Sequence, residues 1–210
     1  MIPTQEWLLF ALAALGLVLS PGPNMIYLIS RSITQGKRAG LISLLGVVVG
    51  FLGHILLVSF GLTAVFMAIP LAYELLRWLG VLYLLYLAWE AVRPGSVSPF
   101  QTRQLAHDSD GKLFRMGFLT NALNPKVAVF YLSFFPQFTH PEYGSLFLQN
   151  IQLGLTQLTI SALVNTVIIL SAARMANWFQ ARPVYVRIQK WLMASILTGL
   201  AVRMALDKGK

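Results

Sequence analysis

Two short proline-containing stretches hold the residues best placed to do chemistry: Pro21-Gly22-Pro23-Asn24 and Asn121-Ala122-Leu123-Asn124-Pro125-Lys126. Each lies inside a long apolar run. A proline within a helix has no N–H to donate, and its ring clashes with the carbonyl four residues back. Pro21 and Pro23 are therefore expected to free the carbonyls of Leu17 and Leu19, and Pro125 that of Asn121. In hydrocarbon such groups must be satisfied by protein or face a wet cavity. A break also creates a helix N-terminus, which attracts an anion, and a C-terminus, which attracts a cation. An amino acid zwitterion carries one charge of each sign. Pro21, Gly22, Pro23, Asn24, Asn121, Asn124, Pro125 and Lys126 are thus the expected substrate-binding residues, with a pair of structural kinks as the plainer alternative.

Lys126 falls about 15 Å from the nearest interface at the helical rise. Burying it there costs about 2.5–3.5 kcal/mol on insertion scales, so it should face a cavity as counter-ion to a carboxylate. His54 shares a helical face with Ser43, Gly46, Gly50 and Gly61, small residues that let a second helix approach. It reads either as a packing histidine or as a proton-coupling group, because its ordinary titration lies near neutrality. Glu90 is the second proton-coupling candidate. The spacings Glu74/Arg77 and Glu90/Arg93 also fit interfacial ion pairs. The fifth apolar run is polar on two faces: Gln149, Gln152, Thr156, Thr159 and Thr166 on one, Gln157, Ser161 and Asn165 on the other. One face should pack against helices and one should line a cavity; Thr156 and Asn165 are the cavity-lining candidates.

The elements that must position these groups follow from composition. The chain has 210 residues, 57% apolar and only 11% charged, against roughly 45–50% and about 25% in soluble domains. Six runs approach the roughly 20 apolar residues that cross a bilayer as helix: Trp7–Ile29, Ala39–Phe66, Leu71–Val92, Met116–Phe138, Ser145–Ala173 and Trp191–Leu206. The expected fold is all-α and polytopic, about six transmembrane helices. Eleven of the sixteen Lys and Arg fall in the loops after runs one, three and five. The positive-inside bias puts those loops in the cytoplasm and the N-terminus outside. Trp7, Trp78, Trp89, Trp178 and Trp191 read as interface anchors. The polar stretch 94–115, including His107-Asp108-Ser109-Asp110, reads as a solvated connector between a first half, 1–93, and a second, 116–210. Three spans per half make the halves inverted repeats, a layout of secondary transporters.

There is no cysteine, which excludes disulfide frameworks and thiolate chemistry. No His-Glu-x-x-His or Gly-x-Ser-x-Gly occurs, so no catalytic residue is expected. No cofactor and no metal site is called for. The chain also resembles the LysE/RhtB family of bacterial amino acid exporters. The resemblance rests on Ser20-Pro21-Gly22-Pro23-Asn24, Gly36 followed by Arg38-Ala39-Gly40, the stretch Leu79–Ala88, Thr120–Lys126 and Phe134-Phe135-Pro136-Gln137-Phe138. It implies a proton-driven inner-membrane exporter, nearer the homoserine, threonine and leucine branches than the lysine branch. Where many members carry an Asp in the second or fifth span, this chain has Phe51, His54 and Asn165. The expected partners are a neutral amino acid and the lipid bilayer, with a homodimer left open; nucleic acid is not one. A divalent metal transporter of related layout, a membrane enzyme and a passive channel are the alternatives.

Overall fold

The computed structural model describes residues 1–62, 70–94, 107–180 and 183–206. Among the described residues the regular structure is helical, with no strand. The first run is two helices, α1 (Thr4–Leu19) and α2 (Pro23–Gln35), bent by 53° at the Ser20–Gly22 break. Gly36, at φ +86°, closes α2 and starts α3 (Lys37–Leu57) without a linker; that left-handed backbone is open to glycine at no steric cost. A π turn, Val58–Leu62, extends α3. Then come α4 (Pro70–Val92), α5 (Asp110–Ala122) and the single-turn α6 (Pro125–Val129). A π turn and a 3-10 turn carry the chain on to Gln137. The last two helices are α7 (Leu146–Gln180) and α8 (Pro183–Leu206).

Two of these helices are long and apolar enough to cross a membrane, over Lys37–Gly61 and Leu146–Ala172, and the bent pair α1–α2 makes a third if taken as one span. Helices α4 and α8, of 23 and 24 residues, are about 35 Å long and match the roughly 30 Å hydrocarbon thickness in length. The surface confirms the solvent. Leu12, Leu45, Leu57, Leu79, Leu163 and Val167 are exposed, while Ser43, Asn121, Asn124, Gln157, Ser161 and Asn165 are buried. Apolar outside and polar inside is the inverse of a soluble protein and belongs in lipid.

The span limits expected from sequence need correction at several ends. The fourth helical segment begins at Asp110 rather than Met116, and the last at Pro183 rather than Trp191. Hydropathy stops at Arg115 and Lys190, but a helix does not, because long basic side chains reach out to the interface. The end expected at Phe66 lies outside the described residues, as do 95–106.

Helix α3 lies along α5, and α4 lies along α8; α7 packs against α1, α2 and α3. The α3–α5 contact is close. A Cβ on Gly46 would sit 2.0 Å from the Phe114 carbonyl oxygen, and one on Gly117 2.1 Å from that of Ser43. Gly61, expected on the same face, has no atom of the described residues within 4 Å of its Cβ position. At the far end of α2, Arg31 meets Asp108 at 2.7 Å, with the two side chains 8% and 7% exposed, and Lys112 meets the same carboxylate at 2.5 Å. Asp108 is therefore not part of a solvated loop: it is the anchor that holds the start of α5 to α2. The Lys112 hydrogen bond, and then the Arg31 charge, hold its carboxyl below the usual range.

Candidate functional site

Both helix breaks converge on one side chain. Lys126 is the second residue of α6, and Asn124 caps that helix by accepting from the Lys126 N–H at 3.0 Å. This cap fixes the start of α6 and turns the lysine toward the first break. Its side chain is 7% exposed, and Nζ donates to the Ser20 carbonyl at 2.5 Å. Gly22 lies alongside, where a Cβ would stand 3.1 Å from Cδ and 3.3 Å from Nζ. The ammonium thus bridges the break in the first half to the break in the second, 106 residues apart in sequence.

Around it is a cavity lined by Ser20, Gly22, Asn24, Asn124, Lys126, Gln157, Ser161 and Asn165 on the polar side. Leu17, Val18, Met25, Phe51 and Val127 form the apolar side. The cavity volume is about 40 Å³, room for about three waters. Of the expected substrate-binding residues, Gly22, Asn24, Asn124 and Lys126 line it, as does Asn165. Pro21, Pro23, Asn121 and Pro125 do not, although they make the breaks that shape it.

Of the carbonyls expected to be free, those of Leu17 and Asn121 are not. Leu17 O accepts from the Ser20 N–H at 3.2 Å, and Asn121 O accepts from the Asn124 N–H at 2.9 Å. Each break closes on itself through a short turn, and the exposed acceptor at the first break is Ser20 O, taken by Lys126. Asn121 is fully buried where α5 meets Gly50 of α3, behind the cavity wall.

Thr156 is on the packing face. Its hydroxyl accepts from Trp7 Nε1 at 2.8 Å and donates to Gln152 O at 2.8 Å. Trp7 is accordingly half-buried and held to α7 by this bond; Trp78, Trp89 and Trp191 are about half exposed or more, and the Trp178 side chain lies outside the described residues. On the same face Gln149 holds the 140–144 loop, donating to His140 O and Gly144 O. The opposite face, Gln157-Ser161-Asn165, is the one at the cavity. Ser20, Gln157 and Ser161 were not among the expected site residues; the sequence signal for Gln157 and Ser161 was the i, i+4, i+8 spacing with Asn165, and that for Ser20 its place directly before Pro21-Gly22-Pro23.

His54 stands outside the lining. Its Nε2 is 3.2 Å from Asn121 O, and its ring lies 5.6 Å from that of Tyr131. Tyr131 in turn donates to Gln157 Oε1 at 2.8 Å, so one residue separates the imidazole from a cavity-lining amide. Glu90 is far from the cavity in role, paired with Arg93 at 2.5 Å near the end of α4. Among the described residues no three His, Cys, Asp or Glu side chains gather as metal ligands would.

The arrangement offers a fixed cation, neutral amide acceptors and an apolar wall in a space bounded by two broken helices. A model of the LysE type translocator family matches residues 15–208 of the chain. A homoserine/homoserine lactone efflux protein of Salmonella typhimurium is 34% identical over 176 residues, covering 84% of each chain. The protein of that description from Salmonella typhi is 33% identical over the same length. An uncharacterized membrane protein of Vibrio cholerae is 31% identical over 203 residues, covering 96% of this chain and 97% of its own. No solved structure matches.

Proposed function

Because the chain belongs to the LysE family of translocators, we propose that it is a proton-driven exporter of neutral amino acids or close derivatives, of the homoserine, threonine or leucine type. It would sit in the bacterial inner membrane with its N-terminus outside, as two inverted three-helix halves. The orientation is supported by the basic loops. The inverted halves are supported by three pairings that are reciprocal under exchange of halves, α3 with α5 matched by α7 with α1 and α2, and α4–α8 and α3–α7 pairing with themselves, whereas α2–α3 has no counterpart of similar extent among the described residues.

The observation that carries the substrate reading is Lys126. One of its three ammonium hydrogens is used by Ser20 O; the others are available to a substrate carboxylate. Among the described residues no Asp or Glu lines the cavity. A lysine substrate would bring a second cation beside Lys126 with nothing to offset it, whereas a zwitterion brings its own balance. Homoserine, one of the two compounds for which the efflux relatives are named, is a zwitterion with a small polar side chain. His54 is the first candidate for proton coupling, reached from the cavity through Gln157 and Tyr131.

Lys126→Met tests this. Met keeps the length and removes the charge. The lost hydrogen bond to Ser20, about 1.5–3 kcal/mol for a charged donor, is offset by removal of a buried cation that costs a similar amount. The variant should therefore melt within a few degrees of wild type while vesicle export of homoserine falls at least tenfold. Undiminished export by a folded Lys126→Met protein would overturn the reading.

A further inference from the structure

Asn165 presents an acceptor that no described residue uses. It sits on α7 at 4% exposure and lines the cavity. Its Nδ2 donates to Ser161 O at 2.8 Å and to Ser161 Oγ at 3.1 Å. A carbonyl oxygen can only accept, so the nitrogen of the amide must face Ser161 and the oxygen must face away. That Oδ1 is buried and has no partner among the described residues. Asn24, on α2, lines the same cavity, and its Oδ1 is likewise buried and without a partner among the described residues. Buried acceptors are ordinarily satisfied, and leaving one unmet destabilises the fold. Lys126, the charged donor at the cavity, spends a hydrogen on Ser20 instead.

We infer that Asn165, with Asn24, accepts the α-ammonium of the substrate, and that this pair makes a free primary amine the specificity requirement of the transporter. The inference rests on the reading of the cavity as the substrate site and deepens it. The two unmet groups are acceptors, so they call for a donor. An ammonium supplies three N–H bonds in a tripod and can reach two acceptors at once, whereas a hydroxyl in its place supplies one. A carboxylate cannot use these oxygens at all and is left to Lys126. The neutral amides also explain the charge class: they take a cation that arrives with its own carboxylate without installing a fixed negative charge to attract a diamine. α-Hydroxy acids and N-acylated amino acids keep the carboxylate but retain a single donor, and they are rejected for leaving at least one of the two buried oxygens unpaired.

The test compares L-homoserine with 2,4-dihydroxybutyrate, which differs only in carrying a hydroxyl for the ammonium. Uptake into inverted vesicles is measured for wild type, Asn165→Leu and Asn24→Leu. Wild type should prefer homoserine by at least tenfold in kcat/KM. In Asn165→Leu, homoserine transport should fall at least tenfold while hydroxy acid transport changes less than about threefold, so that the preference collapses. A residue that only packs the bundle would lower both substrates together, and equal losses would overturn the inference while leaving the transport reading intact. Wild-type transport of neither compound would overturn both. Should Asn165→Leu fail to reach the membrane, Asn24→Leu makes the same comparison on the other helix, with the same collapse expected and the same refutation.

Discussion

Replacing Gly46 with alanine should separate the two halves of the bundle by a calculable amount. The added Cβ would stand 2.0 Å from the Phe114 carbonyl oxygen, 2.8 Å from the Phe118 nitrogen and 2.9 Å from the Phe114 carbonyl carbon. A close C–H···O contact needs about 3.3 Å, so α3 and α5 must part by roughly 1.3 Å. No rotamer relieves this, since every opposing atom is backbone. Overpacking of this kind costs about 1–3 kcal/mol and occasionally more. It is partly offset by alanine's helix propensity, up to about 1 kcal/mol over glycine. The net expectation is a destabilisation of about 1–2 kcal/mol. Gly53, two turns along the same helix, has nothing within 4 Å of its Cβ position, so Gly53→Ala keeps only the propensity gain. Thermal melting of the detergent-purified proteins, followed by size-exclusion fluorescence, should therefore move in opposite directions: down for Gly46→Ala and for Gly117→Ala, unchanged or up for Gly53→Ala. A Gly46→Ala protein as stable as Gly53→Ala would refute the close approach of α3 and α5.

Two further outcomes follow from the same geometry. Gly22 has φ −168°, extended backbone that any residue adopts, and its Cβ would meet only the flexible Lys126 side chain at 3.1 Å; Gly22→Ala should melt normally but export several-fold more slowly, and full export would show that the lysine's position does not matter. Asp108 has its carboxyl lowered from 3.8, so the stabilisation it gives as an anion is fully present above pH 3.8 and is lost only as pH falls through the lower folded value; the melting difference between wild type and Asp108→Asn should be flat from pH 5 to 8, and a difference that changes within that window would refute the arrangement.

What could be read of the fold came from chemistry that does not depend on neighbours. Apolar length announces a membrane helix, and proline announces a break, whatever surrounds them. The ends were less legible because charge stops a hydropathy run without stopping a helix, as at Arg115 in α5 and Lys190 in α8. Asp108 was misread for a related reason. A polar loop containing Asp, Ser and Gly looks solvated in sequence. Its burial depends on Arg31, 77 positions earlier, arriving from α2.

The site shows where this limit falls. Lys126 was legible because the cost of a buried cation admits few explanations, and the two breaks were legible as its partners. Which carbonyl it grips was not. Turning the chain tightly at the break lets Ser20 N–H close on Gly16 O and Leu17 O, so the proline rule gives the break but not the acceptor left over. The polar faces of α7 show the same thing in another form. A period of 3.6 residues separates Thr156 from Gln157, Ser161 and Asn165, but both faces carry hydrogen-bonding side chains. The decision between them was made by Trp7, whose indole N–H takes the Thr156 hydroxyl and commits that face to packing. Once it is committed, Gln157, Ser161 and Asn165 face the cavity, and the Asn165 amide oxygen, without a partner among the described residues, is the feature on which the proposed substrate discrimination turns.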